Sequence, residues 1–112
     1  MKFSSALSPL NDESLKSYLA EKKAPLLVSF WAPWSSSCQI LEQTLNELAH
    51  DYQKRMQISV LNIDENAHSP AEYGIKSIPH ILLFENGEIV ASFSGAQPKN
   101  KLVEIIETHL SH

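Results

Sequence analysis

A single cysteine, Cys38, stands in a chain of 112 residues. With no second thiol, no internal disulfide can form, and no zinc site built from several cysteines is possible. Glycine is almost as scarce, at three residues, and the chain has no internal repeat, low-complexity segment or linker. No apolar run is long enough to cross a bilayer. Positive charge is in deficit: nine lysines and arginines against thirteen aspartates and glutamates leave a net charge of −4. That balance argues against nucleic acid and anionic membranes as partners, since both call for a basic face. The opening stretch MKFSSALSPL carries one lysine and no sustained apolar segment, so no secretory leader is expected and the cytoplasm is the expected location. His50, His68, His80, His109 and His112 are scattered without metal-ligand spacing. They read as surface or helix-end residues, and neither a metal nor another cofactor is expected.

What the chain does have is a core. Hydrophobic residues make up 43% of it, which fits one domain over residues 1–112. Residues 11–22 read as a helix, with Asn11 as N-cap and Leu15, Tyr18 and Leu19 on one face. Leu26-Leu27-Val28-Ser29-Phe30-Trp31 is short and almost wholly apolar, the habit of a strand buried on both faces, which puts Ser29 inside the core. After Ala32-Pro33-Trp34 and the serine run Ser35-Ser36-Ser37 comes a long helical pattern. Cys38, Leu41, Leu45, Leu48 and Tyr52 form its apolar stripe, and the serines supply its caps. Residues 58–63 form a second apolar strand. Ser69-Pro70 starts a short helix, with serine as cap and proline at the first helical position, and Gly74 ends it. Ile81 to Phe84 is the next strand, Asn86-Gly87 a hairpin turn, and Glu88 to Phe93 its partner strand with Ile89, Ala91 and Phe93 on one face. Pro98 opens a last helix with Leu102, Val103, Ile105, Ile106 and Leu110 on its apolar face. Strands joined by helical crossovers become parallel and the hairpin adds an antiparallel pair, so the expected fold is α/β.

This order, with its motifs, resembles the thioredoxin family over nearly the whole chain. The residues that carry the resemblance are Phe30-Trp31-Ala32-Pro33-Trp34, Leu61-Asn62-Ile63-Asp64, Tyr73-Gly74-Ile75, Ile78-Pro79, Leu83-Phe84, Asn86-Gly87 and Gly95-Ala96. The resemblance implies a thioredoxin fold, a central mixed sheet of four to five strands flanked by about four helices, with a cis peptide bond before Pro79. It also implies a groove around Trp34, Ile78, Pro79, His80, Gly95 and Ala96 that holds an extended client by backbone hydrogen bonds to the residue before the proline. Ancestrally the activity is thiol–disulfide exchange.

The departures are as informative as the matches. Where the family reads Trp-Cys-Gly-Pro-Cys, this chain reads Trp34-Ser35-Ser36-Ser37-Cys38. By the resemblance, Ser35 occupies the position of the attacking cysteine, Cys38 that of the resolving one, Ser29 that of a buried acid and Val60 that of its accompanying lysine. A Ser-x-x-Cys motif is similar to the thioredoxin domain of the chaperedoxins, whose turn also looks like Phe93-Ser94-Gly95-Ala96-Gln97-Pro98 and whose members add a helical-repeat extension.

Disulfide reduction needs an exposed thiolate as attacker and a second thiol to release the client. A serine hydroxyl supplies neither. Normal dithiol turnover is therefore expected to be lost, with binding of protein or peptide clients retained. Two alternatives stand beside this reading. One is a monothiol protein or sensor using Cys38 with glutathione or a partner cysteine. The other is a Cys-to-Ser variant, at position 35, of a working thioredoxin. Cys38 reads either as a small buried apolar side chain or as that sensor thiol. His80 reads either as a groove histidine or as the partner of a Cys38–His80 nucleophilic pair. The serine run reads as a capping segment rather than a hydrolase nucleophile, since no G-x-S-x-G elbow surrounds Ser35.

Overall fold

The computed structural model describes residues 7–110; His112 and the first six residues of the opening stretch lie outside them. In chain order the elements are β1 (Leu7–Leu10), α1 (Asp12–Glu21), β2 (Leu26–Trp31), α2 (Ser36–Tyr52), β3 (Gln57–Asn62), α3 (His68–Glu72), β4 (His80–Glu85), β5 (Glu88–Ser94) and α4 (Lys99–His109). The five strands form one sheet in the order β1-β3-β2-β4-β5. β1 and β2 run parallel to β3, while β4 is antiparallel to both β2 and β5. This is the thioredoxin fold, a mixed sheet with helices on both faces.

Strand alternation divides the core in two. Leu27 on β2, Ile58 and Val60 on β3, and Ile81 and Leu83 on β4 face α2 and α4, where Leu41, Leu45, Leu48, Leu102 and Ile106 cover them. Leu26, Val28 and Phe30 on β2, Leu61 on β3, and Leu82 and Phe84 on β4 face the other way. They meet Leu15 of α1 and, more loosely, Tyr73, Ile75 and Ile78. The α2 stripe is buried at Cys38, Leu41, Leu45, Leu48 and Tyr52, as its spacing requires.

Several local expectations need correction. β1 is an additional strand at the sheet edge; with four residues and Pro9 among them it carries little strand signal, and proline is tolerated only at such an edge. In β5 the register slips opposite Leu83 and Phe84: Ala91 pairs with Leu83, but Ile89 pairs with Phe84. The bulged residue is Val90, which packs with Ala91 and Phe93 on the α2/α4 side, while Ile89 is left largely exposed. Ser69 is not the cap of α3. It lies inside the helix, behind Ala67, which makes no side-chain cap bond. Pro98, likewise, is the N-cap of α4 rather than its first residue.

Asn11 caps α1 as expected. Its side chain accepts from the Ser14 N–H at 2.7 Å, and the Ser14 hydroxyl accepts from the Asn11 N–H at 2.9 Å. Asn86 and Gly87 both take positive φ, 56° and 80°, the form of a two-residue turn whose twist suits a hairpin. Gly87 also lies close to the end of α1: a Cβ there would stand 2.9 Å from the Leu19 carbonyl oxygen.

Candidate functional site

Topology brings the site together at one end of the sheet. β2 and β3 finish there, as does β5, and antiparallel β4 begins there, with Phe30 opposite His80 and His80 opposite Ser94. The segments leaving these strands are Ala32–Ser35, Ile63–Asp64, Ile78–Pro79 and Gly95–Ala96. Two backbone bonds tie them: the Ile63 N–H donates to the Trp31 carbonyl at 2.9 Å, and the Gly95 N–H donates to the Pro79 carbonyl at 2.9 Å. The Ile78–Pro79 peptide bond is cis, and Gly95 takes φ +95°, a backbone conformation suited to glycine. Pro79 is buried and Ile78 half-buried. Among the described residues, neither the N–H nor the carbonyl of Ile78 has a backbone partner.

Trp34 is 68% exposed and Ile40, one turn into α2, is 69% exposed. Trp34 is oriented by Asp64, whose Oδ1 accepts from its indole Nε1 at 3.2 Å. Asp64 is in turn set by its own N–H, which donates to Asn62 Oδ1 at 2.8 Å. The sequence reading assigned no role to Asp64 or Ile40. The Asn62-x-Asp64 spacing is the signal for the first, since asparagine two residues ahead of an N–H closes an Asx turn. Ile40 stands off the apolar stripe of its helix, which is the signal for the second.

Ser35 is the N-cap of α2. Its Oγ accepts from the Cys38 N–H at 3.3 Å, and Gln39 Nε2 holds the Pro33 carbonyl at 3.1 Å. Ser35 is half-exposed, Ser36 and Ser37 are exposed, and Cys38 is 4% exposed on the stripe that packs against the sheet. The alcohol therefore faces the solvent side and the thiol faces the core. Among the described residues the Cys38 sulfur has no hydrogen-bond partner.

Ser29, 1% exposed, lies in register with Val60 on one side and Ile81 on the other. All three face α2 and α4. The positions of the family's buried acid and lysine are thus neighbours on adjacent strands, here a serine beside a valine. Among the described residues the Ser29 hydroxyl has no hydrogen-bond partner.

His80 does not join Cys38. Along β4 it alternates with Ile81, so it points to the α1/α3 side while Cys38 packs on the other. Its Nε2 lies 2.9 Å from Ser92 Oγ, and burial pushes its pKa below the ordinary histidine value. The Cys–His pair is excluded by this alternation. Of the remaining described histidines, His68 pairs with Glu72 at 3.4 Å, His109 Nδ1 lies 3.0 Å from the Ile105 carbonyl, and His50 is exposed. No cluster of metal-ligating side chains occurs among the described residues.

Comparison with known proteins agrees with this architecture. The Thioredoxin family model matches residues 6–108. The thioredoxin of Haemophilus influenzae is 38% identical over 101 residues, covering 90% of this chain and 94% of its relative. That of Rickettsia conorii is 42% identical over 95 residues, 85% of this chain and 90% of the relative. An M-type chloroplastic thioredoxin of Spinacia oleracea is 40% identical over 102 residues, covering 91% of this chain and 56% of the relative. Fold, site topology and these matches together make the chain a member of the thioredoxin family.

Proposed function

We propose that this protein binds extended polypeptide in the groove beside Pro79 and does not turn over disulfides as a dithiol enzyme. The observation that carries the reading is the pairing of a half-exposed Ser35 with a Cys38 that is only 4% exposed. An attack on a client disulfide would have to start at position 35, where the side chain is an alcohol already engaged in capping α2. Serine is far too weak an acid to present an alkoxide at neutral pH. Cys38, pointing into the core, is poorly placed to attack in its stead. Ser29 beside Val60 supports the same reading, because a carboxylate in that position would lie unpaired in an apolar wall.

Binding needs no sulfur. The unpaired Ile78 backbone offers a donor and an acceptor to an extended chain, and exposed Trp34 and Ile40 offer apolar contact. The test uses reduced, carboxymethylated lactalbumin, an unfolded polypeptide with no free thiol. The protein should bind it with micromolar affinity, unchanged by Cys38→Ala and weakened about tenfold by Trp34→Ala, the cost of one exposed aromatic anchor. Precipitation of insulin by dithiothreitol should proceed no faster with the protein than without it. Catalysed insulin reduction, or loss of binding on Cys38→Ala, overturns the proposal.

A second reading is favoured by the relatives, which are themselves named thioredoxins: the scaffold is that of a working reductase changed at position 35. Ser35→Cys separates the two. Vigorous insulin reduction by this variant, despite Ser29 and Val60, supports the second reading.

A further inference from the structure

We propose that Asp12, at the first position of α1, is a positioning residue for the groove: its carboxylate holds α3 and so sets the segment 75–79 that forms the groove floor. The proposal rests on the groove reading above.

α3 has five residues and no cap of its own. Asp12, more than fifty positions away, does the capping. Its Oδ1 accepts from the Ser69 N–H at 2.8 Å and its Oδ2 from the His68 N–H at 3.1 Å. The Asp12 N–H donates to Asn66 Oδ1 at 2.9 Å, and Asn66 Nδ2 donates to the Asn62 carbonyl at 3.1 Å, so the loop ahead of α3 is held as well. Burial alone would raise the Asp12 carboxyl, but the hydrogen bonds from Ser69 and His68, with the charge of His68, more than offset it and hold it below the usual aspartate range. The other charged groups of this cleft are Lys16 on α1 and Glu72 on α3, the latter paired with His68.

The hold is passed on by short bonds. The Ser69 carbonyl accepts from the Tyr73 N–H at 3.0 Å, and the Pro70 carbonyl accepts from the Ile75 N–H at 2.8 Å. Tyr73 stands edge-on to Phe84, ring centroids 5.7 Å apart, and Ile75 and Ile78 pack into the same cluster. A five-residue helix cannot sustain itself by propensity. Without the Asp12 carboxylate its first turn frays, and the fixed start of the segment leading to Ile78 and Pro79 is lost.

Native-state hydrogen exchange on the full chain tests this, beside binding of carboxymethylated lactalbumin. Asp12→Ala should speed exchange at the Tyr73, Gly74 and Ile75 amides about tenfold, the equivalent of one lost cap, and leave Leu102 and Ile106 unchanged. Asp12→Asn, which keeps an acceptor but no charge, should fall between. Polypeptide binding should weaken in the same order, with Glu13→Gln as the neutral control. Should Asp12→Ala not fold, Asp12→Asn and the wild type carry the test. In the wild type, the same three amides should open first in acid, as the pH falls through the lowered range in which the folded Asp12 carboxylate takes up its proton. Equal acceleration throughout α4, or local opening with binding intact, overturns the proposal. If the wild type binds no polypeptide the groove reading falls, and the exchange pattern alone decides whether Asp12 sets the segment.

Discussion

Two serines on neighbouring strands, Ser29 and Ser59, are both sealed from solvent and have opposite surroundings. Ser29 faces α2 and α4 among Val60, Ile81 and their apolar neighbours, with no hydrogen-bond partner among the described residues. Ser59 faces the α1 side. There its Oγ lies 3.0 Å from Ser8 Oγ and accepts from Gln57 Nε2 at 2.9 Å, while Gln57 also reaches Ser8. The difference extends to the two faces as wholes. The α2/α4 face is held by a large apolar cluster, with polar links at its rim: Lys99 to Glu47 and Asp51, and Tyr52 and Arg55 to Glu107. The α1/α3 face buries fewer apolar groups and is laced by specific hydrogen bonds, from Asn11, Asp12, Asn66 and the Ser8–Ser59–Gln57 set. Apolar burial is non-directional, whereas hydrogen bonds fix direction. The face that carries α3, and with it the approach to Pro79, is the one built for direction.

The contrast can be broken most forcefully at Ser29. Ser29→Asp should cost about 3–5 kcal/mol in urea denaturation at neutral pH, because the carboxylate would sit unpaired among Val60 and Ile81. The loss should shrink in acid as the carboxyl becomes neutral. Stability close to wild type at neutral pH would mean that the α2/α4 wall is not dry. A smaller effect sharpens the pair itself. Ser59→Ala should cost about 0.5–1.5 kcal/mol by removing its hydrogen bonds to Ser8 and Gln57, which keep only the bond between themselves, whereas Ser29→Ala should be neutral or slightly stabilising. Equal costs for the two alanine variants would erase the distinction.

The smallest effect lies at the rim of the apolar face. Burial first, then the hydrogen bond and charge of Glu107, push the Tyr52 hydroxyl up from 10.0 to about 12. A raised value favours the neutral phenol in the folded state, so this stabilisation is whole below pH 10 and is lost as pH climbs through about 12. In Glu107→Gln, ultraviolet titration should show Tyr52 ionising earlier, yet still later than a free tyrosine because burial persists. At neutral pH the cost should stay under about 1 kcal/mol, as expected for the half-exposed Arg55–Glu107 pair. An unchanged titration would remove Glu107 from the account.

How much of this was legible in the sequence depended on range. The α2 stripe and the inward Cys38 follow from helical spacing alone, and Asn11 and the Asn86–Gly87 turn follow from local backbone chemistry. Ser69 misled because serine before proline looks like a cap; the true cap arrives from Asp12 in another helix, and no local pattern encodes it. Val90 misled because a bulge changes which residues share a face without changing their identity. The side to which His80 points depended on where β4 begins, which apolar content leaves open. The groove segments were each recognisable, but their meeting at one end of the sheet follows only from the strand order.

Pro9 has a consequence outside the molecule. It sits on the outermost strand, where an imino nitrogen has no proton to offer. A foreign strand laid against that border finds a missing rung in the ladder, and the opposite border is bent by the Val90 insertion. Both flanks thus discourage the sheet from growing by recruiting copies of itself.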